Sequence, residues 1–132
     1  IWNAEFTQGY TPGQTGMDRW IAWDKGNFIG REPALRERDG NGPKQVLRTL
    51  EVDATDADAS GFEPVWRDGT LVGFVTSGGY GHTVQKSLAR AMLDQDVAME
   101  GTEVDVHIVG AERKARVIAP SPYDPAGAAM RV

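Results

Sequence analysis

Apolar and polar residues alternate most cleanly in the second half of the chain. Glu103-Val104-Asp105-Val106-His107-Ile108 reads as a half-buried strand of period two. The alternation passes Gly110-Ala111-Glu112-Arg113 and resumes in Ala115-Arg116-Val117-Ile118, which predicts a hairpin. An earlier hairpin is predicted over 64–75, where Asp68-Gly69 separates two β-prone runs and supplies the positive φ angles of a tight type I′ turn. Val46, Leu50 and Val52 mark a further strand from about Lys44 to Asp53. Between the hairpins the pattern divides. Val84, Leu88 and Met92 recur every fourth residue, which leans towards helix, while Ser87 to Met92 also fits an alternating strand.

Before Pro43 the periodicity weakens. Ile1 to Gly16, rich in Thr, Gln, Gly and Pro, reads as an irregular lead-in. Arg19-Trp20-Ile21-Ala22-Trp23 is short, apolar and aromatic and predicts a strand, followed by the turn cluster Asp24-Lys25-Gly26-Asn27. Pro33 suits the first turn of a helix, Ala34 to Arg38 are mostly strong helix formers, and Asp39-Gly40-Asn41-Gly42-Pro43 stops them. The proline-bearing tail from Pro120 onward is expected to be irregular. Short strands punctuated by Gly and Pro turns, with one short helix, indicate a mainly β fold, a small barrel or sandwich. Residues 1–43 form an α+β lead-in on this reading, and 44–132 the β domain.

Composition narrows the partners. The 132 residues carry a net charge of −5, against the clustered cations that a nucleic-acid backbone requires. Arg31, Arg36, Arg38, Lys44 and Arg48 gather together, but Glu32, Glu37 and Asp39 are interleaved with them, as on a solvated face. Cysteine is absent, so there is no thiolate nucleophile, thiolate metal site or disulfide, which fits a cytoplasmic setting. No run of about 18 apolar residues is long enough to span a bilayer, and Ile1 to Phe6 lack the order of a signal peptide. A start on the apolar pair Ile1-Trp2, without methionine, leads us to expect a piece of a larger protein.

Local motifs give no complete catalytic set. The run Ser77-Gly78-Gly79-Tyr80-Gly81-His82 lacks the Gly-Lys-Ser/Thr end of a phosphate loop, and Val84 stands where the third dinucleotide-binding glycine belongs. Backbone bending after a strand is the simpler reading of its glycines. Ser77 and His82 are a nucleophile and a base by type only, since Gly-Xaa-Ser-Xaa-Gly is missing. Asp53, Asp56 and Asp58 lack the glycine and closing Glu of a calcium loop, and His107 lacks the ligand spacing of a zinc site. Trp20, Trp23, Trp66, Phe74 and Tyr80 are able to stack a flat ligand, but most are expected in the core, where aromatics bury the largest areas.

Two segments carry a family resemblance: Asp24-Lys25-Gly26-Asn27-Phe28-Ile29-Gly30-Arg31-Glu32 and Val75-Thr76-Ser77-Gly78-Gly79-Tyr80-Gly81-His82-Thr83-Val84. With Thr11-Pro12-Gly13-Gln14-Thr15-Gly16-Met17 and Val72-Gly73, they resemble the C-terminal part of the folate-dependent aminomethyltransferases, typified by the glycine-cleavage T-protein. Asp53 to Trp66 and the complete glycine run resemble most closely the C-terminal regions of bacterial dimethylglycine and sarcosine dehydrogenases.

The resemblance implies an antiparallel barrel of about six strands and assigns Lys86 to Leu93 to a strand, against the helical periodicity. It implies a tetrahydrofolate channel that the barrel closes on one side. The main folate-binding acid and arginine would lie upstream in the same polypeptide. FAD would sit on an N-terminal domain that oxidises a small N-methyl amine. It implies no catalytic residue and no metal ligand within this chain, which alone would be inactive. Tyr80 and His82 are expected to face the channel, Tyr123 to be the aromatic that reaches the cofactor, and Arg31 to support the channel through an ion pair or a backbone carbonyl. The rival reading is a non-catalytic binding or interaction module that kept the barrel and lost folate.

Overall fold

The alternating segments become the staves of one closed barrel. A computed structural model describes residues 1–131, with strands β1 (Gln45–Val52), β2 (Pro64–Arg67), β3 (Thr70–Gly81), β4 (Lys86–Asp94), β5 (Glu103–Ile108) and β6 (Ala111–Ile118). All neighbours are antiparallel in the order β1-β4-β3-β2-β5-β6, and β6 returns to β1 through pairs such as Leu50 with Val117. Closure leaves no free sheet edge, so strands this short need no further cover.

Period two places one face of each strand inside. Leu50, Val65, Val75, Ala91, Leu93 and Val106 are fully buried, and each such side chain is worth about 1.5–3 kcal/mol for the larger aliphatics. The segment that divided the sequence evidence is a strand. β4 is hydrogen-bonded on both sides, to β1 from Gln45↔Asp94 to Val52↔Ser87 and to β3 from Gly73↔Leu93 to Gly81↔Lys86. Two complete ladders outweigh a weak local periodicity.

Both predicted hairpins form. Asp68 and Gly69 have φ of 49° and 77°, as the type I′ turn demands. The second turn is tighter than the expected Gly110–Arg113, because Ile108 pairs with Ala111 and leaves only Val109-Gly110 in the loop, with φ of 49° and 80°.

Four expectations are corrected. First, Arg19–Trp23 is not a strand: Asp18–Trp20 is a 3₁₀ turn, no ladder partner reaches it, and the Arg19 guanidinium lies over the exposed Trp20 ring. Second, the stretch Pro12–Thr15 is a short helix, α1, closed by a capping box in which the Thr11 side chain accepts from the Gln14 N–H and the Gln14 side chain accepts from the Thr11 N–H. Third, the glycine run does not bend away after a strand but lies within β3. Fourth, none of Trp20, Trp23, Trp66, Phe74 and Tyr80 is fully buried; small and branched aliphatics fill the interior, because a six-stranded barrel has little room for rings.

The helix α2 (Arg31–Asp39) forms as expected, with Pro33 in its first turn and an Arg36–Glu32 ion pair at 2.6 Å. It docks on α1 through the Thr11 hydroxyl, which donates to the Glu37 carboxylate. Neither helix buries a residue. Among the described residues no helix is long and apolar enough to cross a membrane.

Candidate functional site

One end of the barrel is spanned by the acidic segment Asp53–Gly61, which links β1 to β2. Ala54 and Ala57 pack on the core, and Ala59 is buried in it, so the segment is a strap held by small apolar side chains rather than a free loop. Polar ties hold it at two further points. Ser87 Oγ donates to Asp58 Oδ1 at 2.6 Å, and Arg113 Nη2 donates to Asp56 Oδ2 at 2.8 Å.

Between the strap and the ends of β1, β4 and β6 lies an open cavity of about 1040 Å³, whose wall includes Glu51, Asp53, Tyr80, Lys86, Lys114 and Arg116. Its charges are largely engaged. Lys86 Nζ lies 2.6 Å from Glu51 Oε2, and Lys114 Nζ lies 2.5 Å from Asp105 Oδ1. The hydrogen bond to Asp105, with the negative charges of Asp105, Glu112 and Glu103, raises the Lys114 ammonium above its ordinary range. No chemistry near neutral pH is expected from it.

The glycine run explains how Tyr80 reaches this end. A Cβ on Gly78 would stand 2.3 Å from the Ala59 carbonyl oxygen, so the strap can cross β3 only where the strand lacks a side chain. Two residues further along β3, Tyr80 is 46% exposed at the cavity wall. The His82 ring meets it edge-on, with centroids 5.0 Å apart and planes at 80°. Tyr80 and His82 are thus brought together.

The other two named residues lie elsewhere. Arg31 opens α2 after Gly30, whose φ is 89°, and its Nε is buried without a hydrogen-bond partner among the described residues. Among the described residues Arg31 makes no ion pair and no side-chain hydrogen bond to a carbonyl. Tyr123 is exposed in the tail, where its carbonyl accepts from Ser121 Oγ, and it does not line the cavity.

Ser77 and His82 do not meet as nucleophile and base. Ser77 Oγ donates to Glu5 Oε1, and His82 is spent on the tyrosine edge. His107 Nε2 is 3.4 Å from Glu112, and its ring lies against Trp66. Among the described residues no group of three or more His, Asp or Glu is placed to hold a metal ion.

Sequence reasoning missed two polar clusters. Glu5, in the lead-in, is buried against Thr76 and Ser77, a contact across more than 70 positions that no local pattern announces. Arg90 is half-buried and donates to Thr49 Oγ1, which in turn donates to the Pro120 carbonyl and so pins the tail to β1. Burial, and then the charge of Arg48, pushes the Arg90 guanidinium below its ordinary range.

Comparison with known proteins agrees with this geometry. Residues 45–124, the barrel itself, match the family model described as the glycine cleavage T-protein C-terminal barrel domain. The mitochondrial dimethylglycine dehydrogenase of Rattus norvegicus is 33% identical over 118 residues, covering 89% of this chain and 14% of the relative. A probable aminomethyltransferase of Thermococcus kodakarensis is 35% identical over 115 residues, covering 87% of this chain and 28% of the relative. The crystal structure of the glycine cleavage system aminomethyltransferase T from Bartonella henselae superposes with a TM-score of 0.79 at 22% identity, over 88% of this chain and 33% of that one, and so shares the fold. The chain therefore spans between a seventh and a third of the length of these relatives. A closed six-stranded antiparallel barrel, matched by that model from its first strand to its tail, places the chain in the glycine cleavage T-protein C-terminal barrel family.

Proposed function

We propose that this barrel closes one side of a tetrahydrofolate channel in a larger one-carbon transfer enzyme, either an aminomethyltransferase or a dimethylglycine or sarcosine dehydrogenase. The observation that carries the reading is the exposed Tyr80–His82 pair of a T-protein family barrel, in which Tyr80 lines the open cavity and the His82 ring packs edge-on against it. A flat ring with hydrogen-bonding edges suits such a surface, which offers stacking together with a phenol and an imidazole.

Electrostatics then orient the ligand. Glu51, Asp53, Asp56, Asp58 and Glu103 outnumber the cations Lys86, Lys114 and Arg116 around the cavity, so the anionic tail of a folate is turned away from the strap. Tyr80 and His82 would hold the ring. When bound, tetrahydrofolate supplies the amine that accepts the one-carbon unit; this chain orients that ring and screens it from water, and orientation of this kind accounts for much of the rate in two-reactant chemistry. The folate-binding acid and arginine, the amine substrate and, in a dehydrogenase, FAD belong to a region upstream in the same polypeptide. The chain alone is inactive on this account, since its own nucleophile, base and acid do not converge.

Substitution in the full-length parent tests it. Tyr80→Ala and His82→Ala each weaken tetrahydrofolate binding by about threefold to tenfold, the worth of one aromatic contact, and Tyr80→Phe retains most of the affinity. Unchanged dissociation constants in both alanine variants would refute the assignment of this surface. Failure of every form, including the intact parent, to take up tetrahydrofolate would favour the rival, a barrel retained as an interaction module.

A further inference from the structure

Within residues 1–43 a single side chain is buried, and it belongs to a carboxylate, Glu5. Neither α1 nor α2 sinks an apolar face into the barrel. The lead-in's apolar residues, such as Ile21, Trp23, Phe28 and Leu35, are at most half-buried, so polar contacts weigh more heavily in fixing its position.

The receiving end is unusual for a strand. Successive side chains normally point to opposite faces, so neighbouring hydroxyls diverge. In β3 the register against β4 shifts between Val75, paired with Ala91, and Ser77, paired with Arg90. That bulge re-aims the chain. Thr76 Oγ1 reaches Glu5 Oε1 at 3.0 Å, and Ser77 Oγ donates to the same oxygen. Thr76 Oγ1 also approaches the Arg90 carbonyl oxygen at 3.1 Å, so its proton is shared between an internal acceptor and the incoming carboxylate. The second oxygen, Glu5 Oε2, contacts the Ile1 amine.

We propose that the Thr76–Ser77 bulge is a carboxylate-receiving site built into the barrel wall, and that Glu5 is its ligand in cis, so that this contact sets how the lead-in lies on the barrel. The proposal is independent of folate. It also gives the Val75-Thr76-Ser77-Gly78 segment a physical role: Val75 fills the core, Thr76 and Ser77 take the carboxylate, and Gly78 lets the strap cross. Two hydroxyls converging on one buried carboxylate oxygen satisfy a group that would be costly to leave unpaired, so losing either side of the contact loosens the lead-in.

Hydrogen exchange followed by mass spectrometry on the whole chain tests this, with the 103–118 hairpin as internal reference and 1–17 as the reporting peptide. Glu5→Ala is expected to speed exchange in 1–17 about tenfold relative to the hairpin. The pair Thr76→Val with Ser77→Ala does the same or more, and adding Glu5→Ala to that pair brings no further increase. A two-residue extension before Ile1, which displaces the amine from Glu5, leaves protection in place. Additive effects, unchanged exchange in 1–17, loss of protection on extension, or equal loss in the hairpin would each overturn the proposal. If Glu5→Ala fails to fold, the comparison of Glu5→Gln with Ser77→Ala decides it by the same criterion of non-additivity.

Discussion

Single positions in the glycine run differ sharply in what they tolerate. Gly78 has the Ala59 carbonyl oxygen 2.3 Å from where a Cβ would be, whereas Gly79 has no atom within 4 Å of that point. Gly78→Ala is therefore expected to cost about 1–3 kcal/mol, because backbone rather than a flexible side chain has to give way. Gly79→Ala is expected to stay within about 0.5 kcal/mol of the parent. Urea denaturation of the two variants checks this, and equal costs would remove the close crossing as the reason for Gly78. The sequence shows the glycines but not which of them is pressed, since the Ala59 strap comes from a distant part of the chain.

At the scale of elements, the β5–β6 hairpin carries visible strain. Val109 occupies the left-handed region at φ 49°, where a β-branched side chain is poorly accommodated. Its N–H donates to Glu63 Oε1 at 3.2 Å, a contact that any residue other than proline retains. Val109→Asn is thus expected to raise stability by about 0.5–1 kcal/mol, read as a higher urea midpoint with an unchanged slope. A lower midpoint would mean that the valine side chain has a role not visible here. The hairpins were legible because alternation and Asp68-Gly69 are local signals. The pattern of β4 divides between helix and strand and family resemblance decides it, for its β1 ladder lies far away in sequence, although β3 directly precedes it. The capping box at Thr11-Pro12-Gly13-Gln14 was a readable helix start. The aromatic run Arg19–Trp23 misled, because an apolar aromatic segment predicts a strand only where a neighbour can pair with it.

For the whole molecule, fold and function part company. The barrel closes and fills its core with small and branched aliphatic side chains. The chemistry is incomplete: Tyr80 and His82 present an aromatic surface, Arg31 and Tyr123 do not line the cavity, and among the described residues the one buried carboxylate outside the barrel, Glu5, is occupied with Thr76 and Ser77. Such an arrangement is what one wall of a shared site looks like. Composition does not reveal it, because on the proposed reading the rest of the pocket belongs to the larger parent enzyme. Calorimetric titration with tetrahydrofolate, of this chain and of the chain joined to the folate-binding region proposed upstream, tests that claim most directly. Heat of binding from the joined form alone is the predicted result; equally tight uptake by the barrel chain on its own would contradict it.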